Sequence, residues 1–201
     1  GGRERAEVIC GFLGCDARPY NPLLSALPRV MHVRSAGAGV IPRFIEIALA
    51  ESLAPRSGSE CVLARLSELL FVEVVRRYVA DLPPEQTGWL AGLRDDTIGR
   101  ALEKLHQRPA HPWTLEELAK ECAMSRSSLA ERFALFVGIP PIQYLAQWRI
   151  QLAASLLRTT KASLAEIAAQ VGYGSEAALS RAFKRQVGVA PAPYRRGAAL
   201  E

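Results

Sequence analysis

Hydroxyl and carboxylate side chains recur at matched positions in the last third of the chain. Thr114 is followed three residues later by Glu117, and Ser163 is followed in the same way by Glu166. At the start of a helix, such a hydroxyl accepts a hydrogen bond from the backbone N–H three residues on, while the carboxylate reaches back to the first residue's N–H. The spacing therefore predicts two capping boxes, and their chemistry is hydrogen bonding to the first turn of a helix.

No set of side chains typical of an enzyme accompanies these caps. The sequence contains no Ser-His-Asp order, no HExxH motif, no phosphate-binding loop and no catalytic pair of carboxylates. The three histidines, His32, His106 and His111, lie near prolines or in a polar turn. We predict that the chain is not an enzyme and that it carries no cofactor.

The four cysteines form no Cys-x-x-Cys pair and have no spacing typical of metal ligands. They are Cys10, Cys15, Cys61 and Cys122. We interpret them as reduced and mostly buried small apolar residues. A metal site combining Cys10, Cys15 and His32 is the weaker alternative, because the ligand spacing is poor and acidic partners are lacking.

The segments around the two caps repeat one another. The six residues from Thr114 reappear from Ser163 at an offset of 49, and four later residues reappear at an offset of 50. Those four are Leu129, Phe133, Gly138 and Tyr144, which become Leu179, Phe183, Gly188 and Tyr194. A repeated supersecondary unit indicates a protein that contacts something periodic, and duplex DNA is a periodic polymer.

Each copy predicts two helices joined by a tight turn. The first helix carries a small residue, Ala119 or Ala168, at the point where the helices must approach closely. The second helix is capped by Ser125 or Ser175. Helix, short turn and helix form the helix-turn-helix plan, whose second helix lies in the major groove of DNA.

A third predicted helix joins the copies. It begins at two prolines suited to a helix start and presents a face of Leu145, Trp148, Leu152, Leu156 and Leu157. A helix of about 19 residues is about 28 Å long, and successive major-groove faces lie about 34 Å apart. Such a rod can hold two recognition helices in adjacent grooves.

The charge distribution is consistent with a polyanionic partner for the repeated segment. Of the net charge of +5, residues 1–109 contribute +1 and residues 110–201 contribute +4. A local basic excess favours nucleic acid. No run of 18 apolar residues occurs and no signal peptide is evident, so we expect a cytoplasmic chain with no membrane partner.

The first third of the chain predicts the end of a β domain. Glu7 to Leu13 and Arg29 to Arg34 have the β-branched composition of strands, and a proline-rich stretch separates them. Two strands do not close a sheet. We therefore expect these residues to be the last strands of a larger domain that is otherwise missing from this chain.

Three helical segments are predicted between this region and the repeat. Pro42 to Leu53 is the first, and Glu60 to Ala80, capped by Ser59, is the second. After a linker from Leu82 to Gly92, a third helix extends from Asp95 to His106. The apolar stripe on the second helix is broader than one face, which favours either burial within its own domain or pairing with a second copy.

The repeated half resembles the AraC/XylS type of transcription regulator over residues 93–196. The matching segments are TLEELA and SRSSLAERF in the first copy, YLAQWRIQLAASLL in the connecting helix and SLAEIAAQVGYGSEAALSRAFKRQVGVAPAPYRR in the second. Upstream, VICGFL, NPLLSALPRVMHV and CVLARLSELLFVEVVRRYVA resemble the end of a cupin-like sensor domain and a helical linker.

The resemblance implies a mainly α fold with three parts. Residues 1–36 are expected to be the residual end of the cupin-like domain, residues 37–92 a helical linker and dimerisation segment, and residues 93–201 a DNA-binding domain. That domain comprises helix-turn-helix units at about 114–138 and 163–188, joined by a long helix at 140–158. The implied partners are double-stranded DNA, a second copy bound through residues 60–80, a small-molecule effector in the missing sensor domain and, as a candidate, RNA polymerase.

The resemblance also implies which side chains contact the bases. In the first copy they are Arg126, Ser127, Ala130 and Glu131, and in the second they are Glu176, Ala177, Ser180 and Arg181. Arg181 is the strongest candidate because a guanidinium fork matches the O6 and N7 acceptors of guanine. Glu131 either accepts from cytosine or, as we favour, pairs with a nearby arginine.

Other predicted contacts are not base-specific. The phosphate contacts are Ser125, Ser175, Lys184, Arg185, Arg195 and Arg196, and the dimer contacts are Leu63, Leu66, Leu70 and Val74. Residues 114–144 carry three basic and four acidic side chains, whereas residues 163–196 carry five and two. We therefore expect the second copy to supply most of the salt-dependent affinity. The alternative function is a ligand-binding or protein-interaction module with weak or non-specific DNA binding.

Overall fold

The computed structural model describes residues 10, 12, 14, 19–33, 39–83 and 85–198, and within this part of the chain all regular structure is helical. The chain divides into two compact units. The first contains residues 1–15 and 28–83, and the second contains residues 16–27 and 84–201.

The first unit is built on a hairpin of two helices, α2 (Val40–Leu53) and α3 (Ser59–Ala80). Leu66 and Val75 of α3 and Ala48 of α2 supply its buried apolar side chains. At the turn, the buried carboxylate of Glu51 accepts hydrogen bonds from the Ser59 hydroxyl at 2.7 Å and from Arg56 at 2.8 Å. These two bonds satisfy a charge that burial would otherwise penalise.

Ser59 is not the cap that its sequence position predicted. The N-cap of α3 is Gly58, with a φ of 91°, and Ser59 is the first helical residue. The Ser59 hydroxyl accepts from the backbone N–H of Arg56 at 2.6 Å instead of bonding forward along the helix. Its partners are Arg56 in the turn and Glu51 near the end of α2.

The predicted strand from Arg29 to Arg34 is wrong for the residues that the structure describes. Residues 29–33 form no strand. A β-branched run forms a strand only when it has a neighbour to pair with, and the described part of the chain contains none for it. The strand predicted from Glu7 to Leu13 falls mostly outside the described residues.

The second unit contains nine helices within the described residues. They are α1 (Pro22–Ala26), α4 (Trp89–Gly92), α5 (Asp96–Gln107), α6 (Leu115–Glu121), α7 (Arg126–Val137), α8 (Pro141–Thr159), α9 (Leu164–Val171), α10 (Glu176–Val187) and α11 (Pro191–Ala198). The short α4 lies inside the segment predicted as a linker, and its Leu90, Ala91 and Gly92 are buried. Helix α1 also belongs to this unit, and just before it the backbone N–H of Tyr20 donates to the Gln151 side chain at 3.3 Å.

Two separate cores lie at opposite ends of α8. Tyr144 and Leu145, in its first half, belong to a core with residues of α5, α6 and α7. Ile150, Ala153, Ala154 and Leu157 belong to a second core with residues of α9 and α10. The face predicted for this helix was incomplete, because α8 buries different sides toward its two cores.

The repeat extends further than the sequence comparison indicated. Ile98, Ala101, Leu102 and Leu105 of α5 are buried at the same spacing as the four α8 residues of the second core, at an offset of 52. Helix α8 therefore ends the first copy and begins the second. The two copies share this helix, which fixes the distance between them.

The helix caps specify both turns locally. Thr114, Ser125, Ser163 and Ser175 each accept a hydrogen bond from a backbone N–H three residues on. Only the second copy has the complete capping box, in which Glu166 also accepts from the Ser163 N–H. Glu117 contacts His111 at 2.7 Å, so the prediction of a full box in the first copy is wrong.

Candidate nucleic-acid interface

The second helix of each copy, α7 or α10, is anchored by the same pair of buried residues. Leu129 and Phe133 are fully buried in α7, as are Leu179 and Phe183 in α10. Each phenylalanine meets a tyrosine edge-on. The ring centroids lie 5.7 Å apart for Phe133 and Tyr144 and 5.2 Å apart for Phe183 and Tyr194. The matched anchors present α7 and α10 with the same face outward.

The outward faces carry the residues that the resemblance assigned to the bases. Arg126, Ser127 and Glu131 are exposed on α7, and Glu176, Ala177 and Arg181 are exposed on α10. Ala130 and Ser180 are half-buried at the edges of these faces. The placement leaves both helices accessible along one side.

The two capping serines are exposed but already engaged. Ser125 Oγ accepts from the Ser128 N–H at 3.1 Å and donates to Ser128 Oγ at 2.8 Å. Ser175 Oγ accepts from the Ala178 N–H at 3.2 Å. A hydroxyl has two acceptor lone pairs and one proton, so the Ser175 hydroxyl keeps its proton available for a phosphate oxygen.

Some of the basic side chains beside the candidate faces make no ion pair within the described residues, whereas another is already hydrogen-bonded. Lys184, Arg185 and Arg196 are exposed and make no ion pair within the described residues. Arg195 is half-buried and donates from Nη2 to the Ala162 carbonyl at 2.6 Å. That bond ties α11 to the segment before α9, and the sequence did not indicate it.

Arg132 is a second engaged arginine, and sequence analysis did not single it out. It pairs with the carboxylate of Asp95 in a salt bridge that joins α7 to the N-terminus of α5. Asp95 itself caps α5 by accepting from the N–H groups of Thr97 and Ile98. Burial is the largest single influence on the pKa of the Asp95 carboxyl, and it raises that pKa. The Arg132 guanidinium and these hydrogen bonds together outweigh burial, so the pKa of the carboxyl is lowered. Glu131 has no arginine partner within the described residues, so the favoured pairing is not found.

The first core encloses a polar cluster that the second lacks. The Tyr144 hydroxyl accepts from Trp89 Nε1 at 3.1 Å and lies 2.7 Å from Nε2 of His106. Burial lowers the pKa of His106 to about 4 and raises that of Tyr144. At neutral pH the histidine is therefore uncharged, so its Nε2 can accept a hydrogen bond from the Tyr144 hydroxyl.

The residues predicted to form a dimer lie on α3 with unequal exposure. Leu66 is buried within the first unit, so it has an intramolecular role that the prediction did not include. Leu63, Leu70 and Val74 are half-buried. The most exposed large apolar residues of α3 are Val62, Leu69 and Val72.

Among the described residues, no group of three or more His, Cys, Asp and Glu side chains is arranged to hold a metal ion. Cys10 and Cys61 are exposed and Cys122 is buried, whereas Cys15 lies outside the described residues. Burial raises the pKa of the Cys122 thiol. A search of the described part of the chain also finds no helix with the length and apolarity needed to span a membrane.

Two helix-turn-helix units sharing one connecting helix define a class of DNA-binding architecture. In agreement, residues 118–197 match the helix-turn-helix domain family, and residues 1–80 match the cupin family.

Similar proteins have been described in several bacteria. An AraC-like transcription regulator of Streptomyces antibioticus is 43% identical over 94% of this chain and 63% of its own length. The HTH-type transcriptional regulator AlkR of Acinetobacter baylyi is 38% identical over 90% of this chain and 60% of its own length. The chain thus spans somewhat less than two thirds of these curated relatives.

A solved structure resembles the C-terminal part of the chain. The DNA-binding domain of the global transcriptional factor AdpA, in complex with a target DNA, is 31% identical with a TM-score of 0.50, covering 52% of this chain and 95% of that domain. The chain belongs to the AraC family of helix-turn-helix transcription regulators.

Proposed function

We propose that this chain is a sequence-specific DNA-binding transcription regulator that places α7 and α10 in adjacent major grooves. The observation that carries the proposal is the matched pair of helices, anchored identically and held on one shared helix. The likeness to the AdpA domain, which was solved with its target DNA, supports it. The 19 residues of α8 span about 28 Å, which suits the separation of neighbouring grooves.

The two copies contribute differently to this function. On α10, Arg181 is exposed and is the side chain best suited to guanine, while Lys184 and Arg185 follow within one turn. On α7, the exposed candidates Arg126, Ser127 and Glu131 have no net charge, and Arg132 is engaged by Asp95. The second copy therefore supplies most of the phosphate contacts, and the first contributes mainly to choice of sequence.

Ser125, Ser175, Lys184, Arg185 and Arg196 are the proposed phosphate contacts. Arg195 shares its guanidinium between the Ala162 carbonyl and a candidate phosphate, so we expect it to be the weakest of the set. The proposed base contacts are the four residues of α7 and the four of α10 that the resemblance implies: Arg126, Ser127, Ala130, Glu131, Glu176, Ala177, Ser180 and Arg181. Partial burial restricts Ala130 and Ser180 to apolar or short-range contact.

The remaining assignments concern the whole protein. We propose the three-part division into residues 1–36, 37–92 and 93–201, with α1 packing in the DNA-binding unit although it lies in the first range. We also propose a homodimer formed through residues 60–80, an effector site in the sensor domain, RNA polymerase as a candidate partner, a cytoplasmic location and no enzymatic activity. The exposed Val62, Leu69 and Val72 support the dimer, since they extend the apolar surface beside Leu63, Leu70 and Val74.

Selection of duplexes from a random pool tests the function directly. We expect the chain to enrich a motif with two short conserved blocks about one helical turn apart. Arg181→Ala should then lose about 1–3 kcal/mol of binding and relax the preference at one position. Arg43→Ala, which removes an exposed charge from α2 in the other unit, is the matched control. Failure to enrich any motif, with equal affinity for all duplexes, would favour the interaction-module alternative.

A further inference from the structure

Arg149 lies in α8 between the two cores and bonds to a segment distant in sequence. Its Nε donates to the Pro109 carbonyl at 2.7 Å, and its Nη2 donates to the His111 carbonyl at 2.8 Å. Both carbonyls lie in the loop between α5 and α6, so the guanidinium holds the entry to the first helix-turn-helix. The two bonds use the fixed fork of an arginine, which a lysine cannot reproduce.

The same loop is also contacted by the second copy, at a point next to the Arg149 guanidinium. Gly172 ends α9 with a φ of +85°, and a Cβ placed there would lie 2.6 Å from the Cα of Ala110 and 2.8 Å from its carbonyl oxygen. Only glycine allows this approach. The ring of the next residue, Tyr173, lies with its centroid 6.0 Å from the Arg149 guanidinium.

The loop at residues 109–111 is therefore contacted by both Arg149 and the Gly172–Tyr173 turn, which lie next to each other. The two cores have no buried residue in common, and the shared α8 is the covalent link between them. A single helix still allows some bending and twisting, whereas a second attachment away from its axis restricts both further.

We propose that Arg149 is a positioning residue that fixes the orientation of the two recognition helices and thereby sets the half-site spacing that the protein accepts. The inference rests on the proposed function for its DNA consequence. Its structural part, the restricted orientation, does not depend on DNA. Rigid linkage raises the effective concentration of the second helix at its groove once the first is bound, and it penalises grooves at the wrong separation.

The structural part is tested by measuring the distance between two spin labels on the chain in the absence of DNA. Lys120 on α6 and Gln170 on α9 are exposed, and labels introduced there on non-natural amino acids avoid the native cysteines. We expect one narrow distance distribution for the parent chain and for Lys161→Ala, a charge control beyond the end of α8. Arg149→Ala and Arg149→Lys should broaden it. An unchanged width in both variants overturns the proposal.

The DNA consequence is tested on duplexes enriched by the parent chain. Arg149→Lys keeps the charge, so we expect half-site duplexes to bind within about twofold of the parent and the full site to bind about tenfold more weakly. Duplexes with one base pair added or removed between the half-sites should lose less affinity with the variant than with the parent. Equal losses on half-sites and full sites would indicate simple destabilisation and would refute the positioning role.

The outcomes separate the two proposals. If the parent chain enriches no motif, the proposed function fails, and the label distances still decide whether Arg149 restricts orientation. If Arg149→Ala does not fold, as judged by its thermal transition, Arg149→Lys supplies both measurements. Gly172→Ala, whose added methyl group would collide with both the Ala110 backbone and the Arg149 guanidinium, should broaden the distances in the same way.

Discussion

The two copies of the helix-turn-helix have the same skeleton but different electrostatics. Leu129 and Phe133 in the first copy and Leu179 and Phe183 in the second are buried to the same extent. In contrast, Arg132 of the first copy is engaged by Asp95, whereas Lys184 and Arg185 of the second are exposed without ion pairs in the described structure. The shared fold constrains the buried residues of both copies, whereas the exposed residues can differ between the copies and serve different roles.

The copies also differ in how they make the same turn. At the equivalent position after the first helix, the first copy has Ala123, with a φ of 55°, and the second has Gly172, with a φ of +85°. Each is followed by a residue whose N–H bonds back to the crossing alanine, Met124 to Ala119 at 2.9 Å and Tyr173 to Ala168 at 2.8 Å. The left-handed conformation is required in both copies, but close approach to another backbone is required only in the second.

The largest expected effect comes from removing one large buried side chain from each core in turn. Phe133→Ala and Phe183→Ala should each cost about 3–5 kcal/mol of stability, because a fully buried ring is lost. Since the cores are separate, amide exchange should accelerate mainly in the copy that carries the change. Leu135→Ala, at a largely exposed site on α7, should change stability by less than about 0.5 kcal/mol. Equal loss of protection in both copies from either change would show that the cores unfold as one.

The turn comparison predicts effects of opposite sign. Gly172→Ala adds left-handed strain of about 1–2 kcal/mol and a collision with the Ala110 backbone, which costs a further 1–3 kcal/mol or so. Ala123→Gly relieves the same strain without a collision and should be neutral or stabilising by up to about 1 kcal/mol. Denaturant unfolding of the two variants measures both. A destabilised Ala123→Gly would contradict the equivalence of the turns.

The stability of the two copies should also differ at acid pH, by a smaller amount. The pKa of His106 falls from 6.5 to about 4 on folding, so the unfolded chain takes up a proton first as the pH drops. Stability is therefore complete above pH 6.5 and declines towards pH 4, by up to about 2 kcal/mol between pH 7 and pH 5. The corresponding residue of the second copy, at the offset of 52, is Arg158, so the second copy has no histidine at this position.

His106→Gln keeps a hydrogen-bond acceptor for Tyr144 but cannot take up a proton. We expect this variant to lose the additional instability at pH 5, as measured by denaturant unfolding at pH 7 and pH 5. Amide exchange should locate the difference in the first copy. A variant with the same pH dependence as the parent chain would show that His106 is not the titrating group.

The smallest effect is the difference in salt dependence. Replacing Lys184 and Arg185 by alanine should lower the slope of log affinity against log salt by about one for each phosphate contact removed. Arg126→Ala in the first copy should alter the slope less, because we assign it to a base. Binding isotherms at several salt concentrations measure both slopes. An unchanged slope for the α10 variant would remove the proposed division between the copies.

The two copies, the residues that cap their helices and most of their buried positions were predictable from the amino-acid sequence. These features depend on local spacing: a Ser or Thr hydroxyl bonds the N–H three residues on, and buried residues recur with the turn of the helix. The crossing alanines Ala119 and Ala168 are confirmed as buried, each 1% exposed. The earlier start of each copy was missed although three of the four matching residues are identical, because they match at an offset of 52 instead of 49 or 50.

The partners of the charged groups were not predictable from the sequence, because they depend on tertiary packing. Glu117 turns to His111 instead of completing its capping box, Arg132 engages Asp95, and Arg149 bonds to carbonyls about 40 residues away. A long flexible side chain has several partners within reach, and packing of distant segments selects among them. The local pattern therefore fixed where the helices begin and cross, and the packed surfaces determined which arginines remain available for DNA.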